Sequence, residues 1–422
     1  MRIGIISTRI CGSDGVSLEI RKWAAILRRQ GHELYYCAGE LEGGLEGKLV
    51  PQMHFQDPSI AALQAQIFSE DCDQAAARGQ METLRAALRG ELVEFLERFH
   101  IQLLIVENAL AIPMNVPLAL ALRDLIAERR LPTIAHHHDF MWERERFAVS
   151  WMKAELEAVF PPKLDSIVHV VINSLAHEEL HARTGIAAEV VPNIFDFTHF
   201  HYGLDREALG FRKAVGIGEQ DWLVLQPTRI IPRKGIEEAI ELVRQLRLPL
   251  NRGRLFERDV KLVLSHPSGD EGQEYFRKLL DQARAGGVPL IYAADKVAIS
   301  ERGPKAPGRF RLWDAYLNAD FVTYPSRIEG FGNAFLEAVY YRLPLLIRRY
   351  PVFVRDIEPL GFDLITFDEE ITPAVLEQVL AVMVDPIRRR RMTELNFDLG
   401  KQHFSYRAVG GKFRKLIERC MP

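Results

Sequence analysis

The 422-residue sequence predicts an α/β fold made of two doubly wound parallel sheets, and three observations predict it. Short runs rich in Val, Ile and Leu alternate with longer segments of helical period, as strands alternate with crossover helices in parallel sheets. Such runs form two series, one in each half of the chain. The length also exceeds what one hydrophobic core usually serves, so two domains of about 200 residues are expected.

In the first half the strand candidates are RIGIIS at 2–7, ELYYCA at 33–38, QLLIVE at 102–107, PTIAH at 132–136 and IVHVVIN at 167–173. Between the first two, Val16, Ile20, Trp23, Ala24 and Leu27 fall on one helical face, and Gly31 follows as a stop. The stretch 57–99 is rich in Ala, Leu and Glu and reads as helix. The second series is WLVLQPT at 222–228, VKLVLSH at 260–266, LIYAA at 290–294, DFVTYPS at 320–326 and LPLLI at 343–347. The boundary falls in VVPNIFDFTHFHYG, residues 190–203, where Pro192 and Asn193 end a strand and helical pattern resumes only near Asp205. This gives domains of 1–195 and 196–404, with a last helix over 406–420 that pattern alone assigns to neither.

A net charge of −3 with 26% charged residues gives no reason to expect nucleic acid, so a small molecule is the expected partner. Cys11, Cys37, Cys72 and Cys420 lack the spacing of a zinc site or a disulfide framework, which fits reduced thiols in a cytoplasmic protein. MRIGIIS lacks the long apolar region of a signal peptide, and no window reaches the ~20 apolar residues of a membrane span. Peripheral membrane contact is left open, and oligomeric state is unread. The basic run RRRR at 388–391 reads as a solvated helix face.

The segment SRIEGFGNAFLEAVYY, 326–341, follows a strand with a turn that Gly330 and Gly332 permit, then a helix from about Asn333. Open α/β sheets bind ligands at the carboxyl ends of strands, where a glycine turn lets backbone N–H groups and a helix N-terminus approach a phosphate. The backbone of Gly330, Phe331, Gly332 and Asn333 is therefore a candidate anion site. Glu329 at the strand end suits hydroxyls, and Glu337 further along suits a vicinal diol such as a ribose. Hydroxyls at both ends with phosphates between them describe a sugar nucleotide. Another segment, LQPTRIIPRKGIEEAI, places Arg229 and Lys234 near the same crevice, with Arg233 as a third cation. Fixed cations stabilise a diphosphate that gains charge as it leaves.

In the first half, RICGSDGVSLE supplies Gly12 and Gly15 ahead of a helix without the GxGxxG spacing of a dinucleotide fingerprint, and Gly15 is a candidate for backbone approach to a ligand. AHHHDF, 135–140, invites a metal reading. Neighbours along a strand point to opposite faces, so His136, His137 and His138 are not expected to converge on one ion. One histidine facing the crevice is the alternative.

Taken in order, GSDGVSLE with QGHEL, NS at 173–174, VVPNIFDF, TRIIPRKG and PSRIEGFGNAFLEA resemble the family 4 glycosyltransferases of GT-B fold over nearly the whole chain. That resemblance implies two Rossmann-like domains facing across a cleft, the acceptor bound mainly by the first and the donor mainly by the second, with the last helix, about 405–422, packing back on the first. It implies a retaining, metal-independent hexosyltransferase that needs no cofactor besides a nucleotide-diphosphate sugar, GDP-mannose or UDP-glucose. By the same likeness Glu329 would hold sugar hydroxyls, Glu337 the ribose, Arg229 and Lys234 the diphosphate, and His138 would lie near the donor sugar. The longer run HHHDFMWERERF resembles a mannosylglucosylglycerate synthase-like subgroup acting on a small anionic glycoside such as glucosylglycerate. Asp139, Arg144 and Arg146 then become acceptor candidates; exposed arginines paired with Glu143 and Glu145 are the plainer alternative. A sugar-nucleotide epimerase or hydrolase of the same fold, or a non-catalytic sugar-nucleotide-binding protein, would need many of the same residues.

Overall fold

The computed structural model describes residues 1–12, 14–198, 208–268, 273–298 and 308–421. The chain divides into two compact units, Met1–Ile194 with Val409–Pro422, and Phe195–Ala408.

The first unit is built on seven strands: β1 (Arg2–Ile6), β2 (Glu33–Ala38), β3 (Gly47–Leu49), β4 (Leu103–Glu107), β5 (Thr133–His137), β6 (Ile167–Val171) and β7 (Ala188–Val190). They form one parallel sheet in the order β3-β2-β1-β4-β5-β6-β7. Every residue of β4 and β5 is buried, as expected of central strands covered on both faces. Helix Gly15–Arg29 buries Ile20, Trp23, Ala24 and Leu27 on the face the spacing predicts, while Val16 stays half-buried. Full burial of each large apolar side chain there contributes roughly 1.5–3 kcal/mol.

The stretch 57–99 corrects the reading of one helix. Helices Pro58–Ile67 and Gln74–Arg98 are separate, because the Asp73 side chain accepts from the Ala75 and Ala76 N–H groups, both at 3.1 Å, and starts the second. The final helix, Tyr406–Cys420, contributes its residues from Val409 onward to this unit. Its Phe413 meets Trp23 edge-on at 4.5 Å, and the Gln30 side chain donates to the Gly410 carbonyl at 2.9 Å.

The second unit has β8 (Trp222–Gln226), β9 (Val260–Leu264), β10 (Leu290–Tyr292), a two-stranded ladder of β11 (Val297–Ala298) with β12 (Phe310–Arg311), then β13 (Phe321–Tyr324), β14 (Leu345–Arg348) and β15 (Ile365–Phe367). Its parallel main sheet runs β10-β9-β8-β13-β14-β15. The basic run is only partly a solvated face: Arg390 and Arg391 are exposed, whereas Arg388 is half-buried and donates to Asp363 at 2.7 Å.

In each sheet the strand order reverses once, between β1 and β4 and between β8 and β13. Crevices open beyond the carboxyl ends of strands at such switch points.

Candidate active site

At the switch point of the second unit, the two strands are tied by a buried polar ladder. The Thr323 hydroxyl donates to the Gln226 side-chain carbonyl at 2.7 Å, and the Gln226 amide donates to the Thr228 hydroxyl at 2.8 Å. The chain beyond β8 makes a tight turn at Pro232–Lys234 and enters helix Ile236–Leu246 through Gly235, whose φ is +58°. A Cβ at that position would lie 2.4 Å from the Pro325 carbonyl oxygen, so only glycine lets the turn pack against the end of β13.

That packing brings two sequence-predicted residues together. Lys234, 8% exposed, donates to Glu329 Oε1. Arg233 donates to Glu329 Oε2 at 3.2 Å and to the Ile328 carbonyl at 2.9 Å. Burial alone would raise the Glu329 carboxyl, but the charges of Lys234 and Arg233 and the Lys234 hydrogen bond outweigh it and hold the pKa at about 2. Burial pushes the Lys234 ammonium below the ordinary lysine range; Glu329 opposes this, while Arg233 and Arg229 add to it. Arg229 is exposed just beyond β8.

Sequence reasoning missed His266, two residues past β9. Burial, then the charges of Lys234 and Arg229, push its imidazole down to about 4, which marks it as a neighbour of both cations. Its signal was the polar end of VKLVLSH, legible only once β9 is known to flank β8.

The glycine turn has the expected form. Gly332 adopts φ +121°, where a Cβ would lie 2.7 Å from the Tyr350 hydroxyl, and that hydroxyl donates to the Phe331 carbonyl at 2.5 Å. Helix Asn333–Tyr340 starts immediately after, and Gly332 has no side chain to cap it. Gly330 and Asn333 therefore bracket an N-terminus suited to a phosphate. Glu337, half-buried in that helix, accepts from the Tyr316 hydroxyl at 2.5 Å.

The switch point of the first unit carries a different cluster. Register places Glu107 beside His136, and alternation along the chain turns His136 and His138 to one side. Glu107 Oε2 lies 2.9 Å from His136 Nδ1 and 3.2 Å from His138 Nε2. His137 points the other way, its Nε2 lying 2.9 Å from His169 Nδ1. The three histidines do not all converge, as expected, but two of them do, on a glutamate the sequence reading left unassigned. Trp23 stacks on His136 at 4.1 Å. Burial would raise Glu107; the charge and hydrogen bond of His136, with those of His138, hold it at about 2. Burial lowers His136 despite Glu107. Burial also works against the His138 imidazolium, yet the hydrogen bond and charge of Glu107, with Glu19 and Asp139, raise it. Among the described residues, this is the His, Cys, Asp and Glu group whose donor atoms, all within 4.8 Å of one another, could hold a metal ion.

The other first-unit candidates separate. Asp139 accepts from Asn108 at 2.7 Å and from Arg144 Nε at 2.7 Å, so Arg144 pairs with Asp139 rather than with the flanking glutamates. Arg146 instead lies over the Phe147 ring at 4.6 Å, with Nη2 2.8 Å from the Met114 sulfur. Gly15 is exposed at the first position of its helix, where the Asp14 carboxylate already accepts from the Ser17 N–H at 3.1 Å. That carboxylate would repel a phosphate, unlike the uncapped turn at Gly332. A cavity of about 940 Å³ lies within this unit, its lining including Trp142, Arg144, Lys153, Lys163 and Arg183.

No family model matches the chain. Sucrose-phosphate synthase from Thermosynechococcus elongatus is similar in structure, with a TM-score of 0.67 at 13% identity over 99% of this chain and 98% of that one. The fold is GT-B, and the chain is a glycosyltransferase. Two mannosylglucosylglycerate synthases resemble it along their length: that of Petrotoga mobilis is 32% identical over 96% of this chain and 98% of its own, and that of Thermotoga maritima 32% identical over 96% and 97%. The chain belongs to the mannosylglucosylglycerate synthase family. Among the described residues no helix is long and apolar enough to cross a membrane.

Proposed function

We propose that the chain transfers a hexose, with retention of configuration, from a nucleotide-diphosphate sugar to a hydroxyl of a small anionic glycoside. The name shared by its relatives favours mannose as the sugar and glucosylglycerate as the acceptor, with GDP-mannose ahead of UDP-glucose as donor. The observation that carries this reading is the pair of buried Lys234 with half-buried Glu329, with Arg233 beside it, at the switch point of a GT-B sheet.

In this proposal Lys234, Arg229 and Arg233 receive the diphosphate. Charge accumulates on the leaving oxygen as the glycosidic bond breaks, so a cation fixed before the reaction stabilises the transition state more than the bound donor. Glu329, kept ionised by Lys234, accepts hydrogen bonds from sugar hydroxyls, while Glu337 holds the ribose. The backbone of Gly330–Asn333 supplies N–H donors to phosphate. The acceptor hydroxyl attacks from the face the diphosphate leaves, and the diphosphate takes its proton; no side chain acts as a covalent nucleophile. In the first unit, His138 contacts the transferred sugar, and Asp139 with Arg144 on the cavity wall binds the acceptor, Arg144 facing its carboxylate.

The test is nucleotide release by the purified chain with GDP-mannose, UDP-glucose, ADP-glucose or UDP-GlcNAc, each with and without glucosylglycerate, glycerate or simple sugars. Acceptor-dependent release of GDP and an α-linked product by NMR is expected. Acceptor-independent release would overturn the reading in favour of a hydrolase or epimerase, and donor binding without any turnover would favour a binding protein.

A further inference from the structure

We propose that Glu107, His136 and His138 form a binding site for a divalent transition ion of the zinc class, which revises the metal-free expectation drawn from the motifs. The donor set is two imidazoles and one carboxylate, the combination suited to zinc and its neighbours rather than to magnesium or calcium. Register builds the set: β4 ends on Glu107 directly beside His136, and His138 lies two residues on, past the end of β5 and turned to the same side. All donor atoms lie within 4.8 Å of one another.

The two carboxylate–imidazole separations match a shared ion. Bonds of about 2.0–2.1 Å place neighbouring donor atoms roughly 3.0 Å apart in octahedral and 3.4 Å apart in tetrahedral geometry. The observed separations from Glu107 Oε2 are 2.9 Å to His136 Nδ1 and 3.2 Å to His138 Nε2.

Hydrogen bonds alone leave the cluster incomplete. Glu107 is 1% exposed, and both imidazoles address the same oxygen, Oε2. Among the described residues its other oxygen, Oε1, is buried without a hydrogen-bond partner. Such an orphaned acceptor is costly, more so when charged. An ion bound through the carboxylate would give Oε1 the partner it lacks. The stack of Trp23 on His136 closes one side, while the His138 side chain is 9% exposed and leaves an open position for an oxygen ligand. The inference rests on this donor set and holds whichever sugar or acceptor the enzyme uses.

The experiment strips the full-length chain with a chelator, removes the chelator, and titrates with Co²⁺ by visible absorption and with Zn²⁺ by calorimetry. One equivalent per chain is expected, with cobalt d–d bands. His138→Gln and Glu107→Gln should each weaken binding at least tenfold, whereas the surface control His100→Gln should leave it unchanged. Absence of stoichiometric uptake, or equal affinity in the His138→Gln chain, overturns the site. Because substitutions in a buried cluster can disturb folding, zinc X-ray absorption on the unaltered chain gives a second decision. Two imidazole shells support the site, and an all-oxygen shell overturns it.

Discussion

Glu107 and Glu329 occupy corresponding places in the two units. Glu107 ends β4 and Glu329 lies five residues beyond β13, each at its sheet's switch point; Glu107 is buried and Glu329 half-buried, and each is held at about pKa 2. What differs is the partner. Glu329 faces a lysine and an arginine, Lys234 and Arg233, whereas Glu107 faces two imidazoles. A unit that brings its own cations is prepared to receive an anion. One whose carboxylate faces imidazoles, which become metal ligands once they give up a proton, suits a metal cation in the proposed site. On these proposals the same fold position serves opposite charges, and the choice is made by loop residues rather than by the sheet.

The largest expected effect comes from breaking the second-unit pair. Lys234→Ala should lower kcat by about 10²–10³-fold, with little change in acceptor KM, because the lost charge acts on the leaving diphosphate. Wild-type kcat in that variant would remove Lys234 from the mechanism. The variant also leaves the half-buried Glu329 with one cation fewer, so a lower Tm is expected.

Acid titration sharpens the same comparison. The Glu329 carboxyl sits at about 2 when folded against 4.5 for the free group, so its stabilisation is fully present above about pH 4.5 and is lost as pH falls toward 2. Glu329→Gln should therefore flatten the acid limb of the stability curve, measured as denaturant midpoint against pH. An unchanged limb would show that the pair is not formed in solution.

A smaller loss is expected from Gly332→Ala. The strained φ of +121° and the crowding by Tyr350 should cost about 1–3 kcal/mol of second-unit stability and raise donor KM, read by thermal melting and kinetics. The smallest effect tests the other unit. Arg144→Ala should raise KM for an anionic acceptor about tenfold while leaving donor KM alone, and an equal rise with a neutral acceptor would reassign Arg144 to the Asp139 contact only.

Legibility differed between the two sites for a physical reason. Lys234 and Glu329 could be read because each sits in a local strand–turn–helix pattern, Lys234 in the loop before a helix and Glu329 beside the turn glycines Gly330 and Gly332; the structure adds that Gly235 packs against Pro325 and Gly332 against Tyr350. Glu107 could not, since QLLIVE reads as an ordinary buried strand whose last residue gains meaning only from its neighbour. Alternation did place His136 and His138 on one side, yet what they converge on lies 29 and 31 residues away in the chain. The split of 57–99 into two helices was missed through composition, although Asp73 carried the cap signal.

By itself the sequence determined the α/β class, the two strand series, the glycine turns and the cations of the second unit, because periodicity and backbone demands are local properties of the chain. Only the tertiary structure decided strand order, the Lys234–Glu329 pair, the closeness of His266 to the cations, and the Glu107–His136–His138 cluster. Those depend on which strands become neighbours, and burial then fixes the charge state of every group held between them.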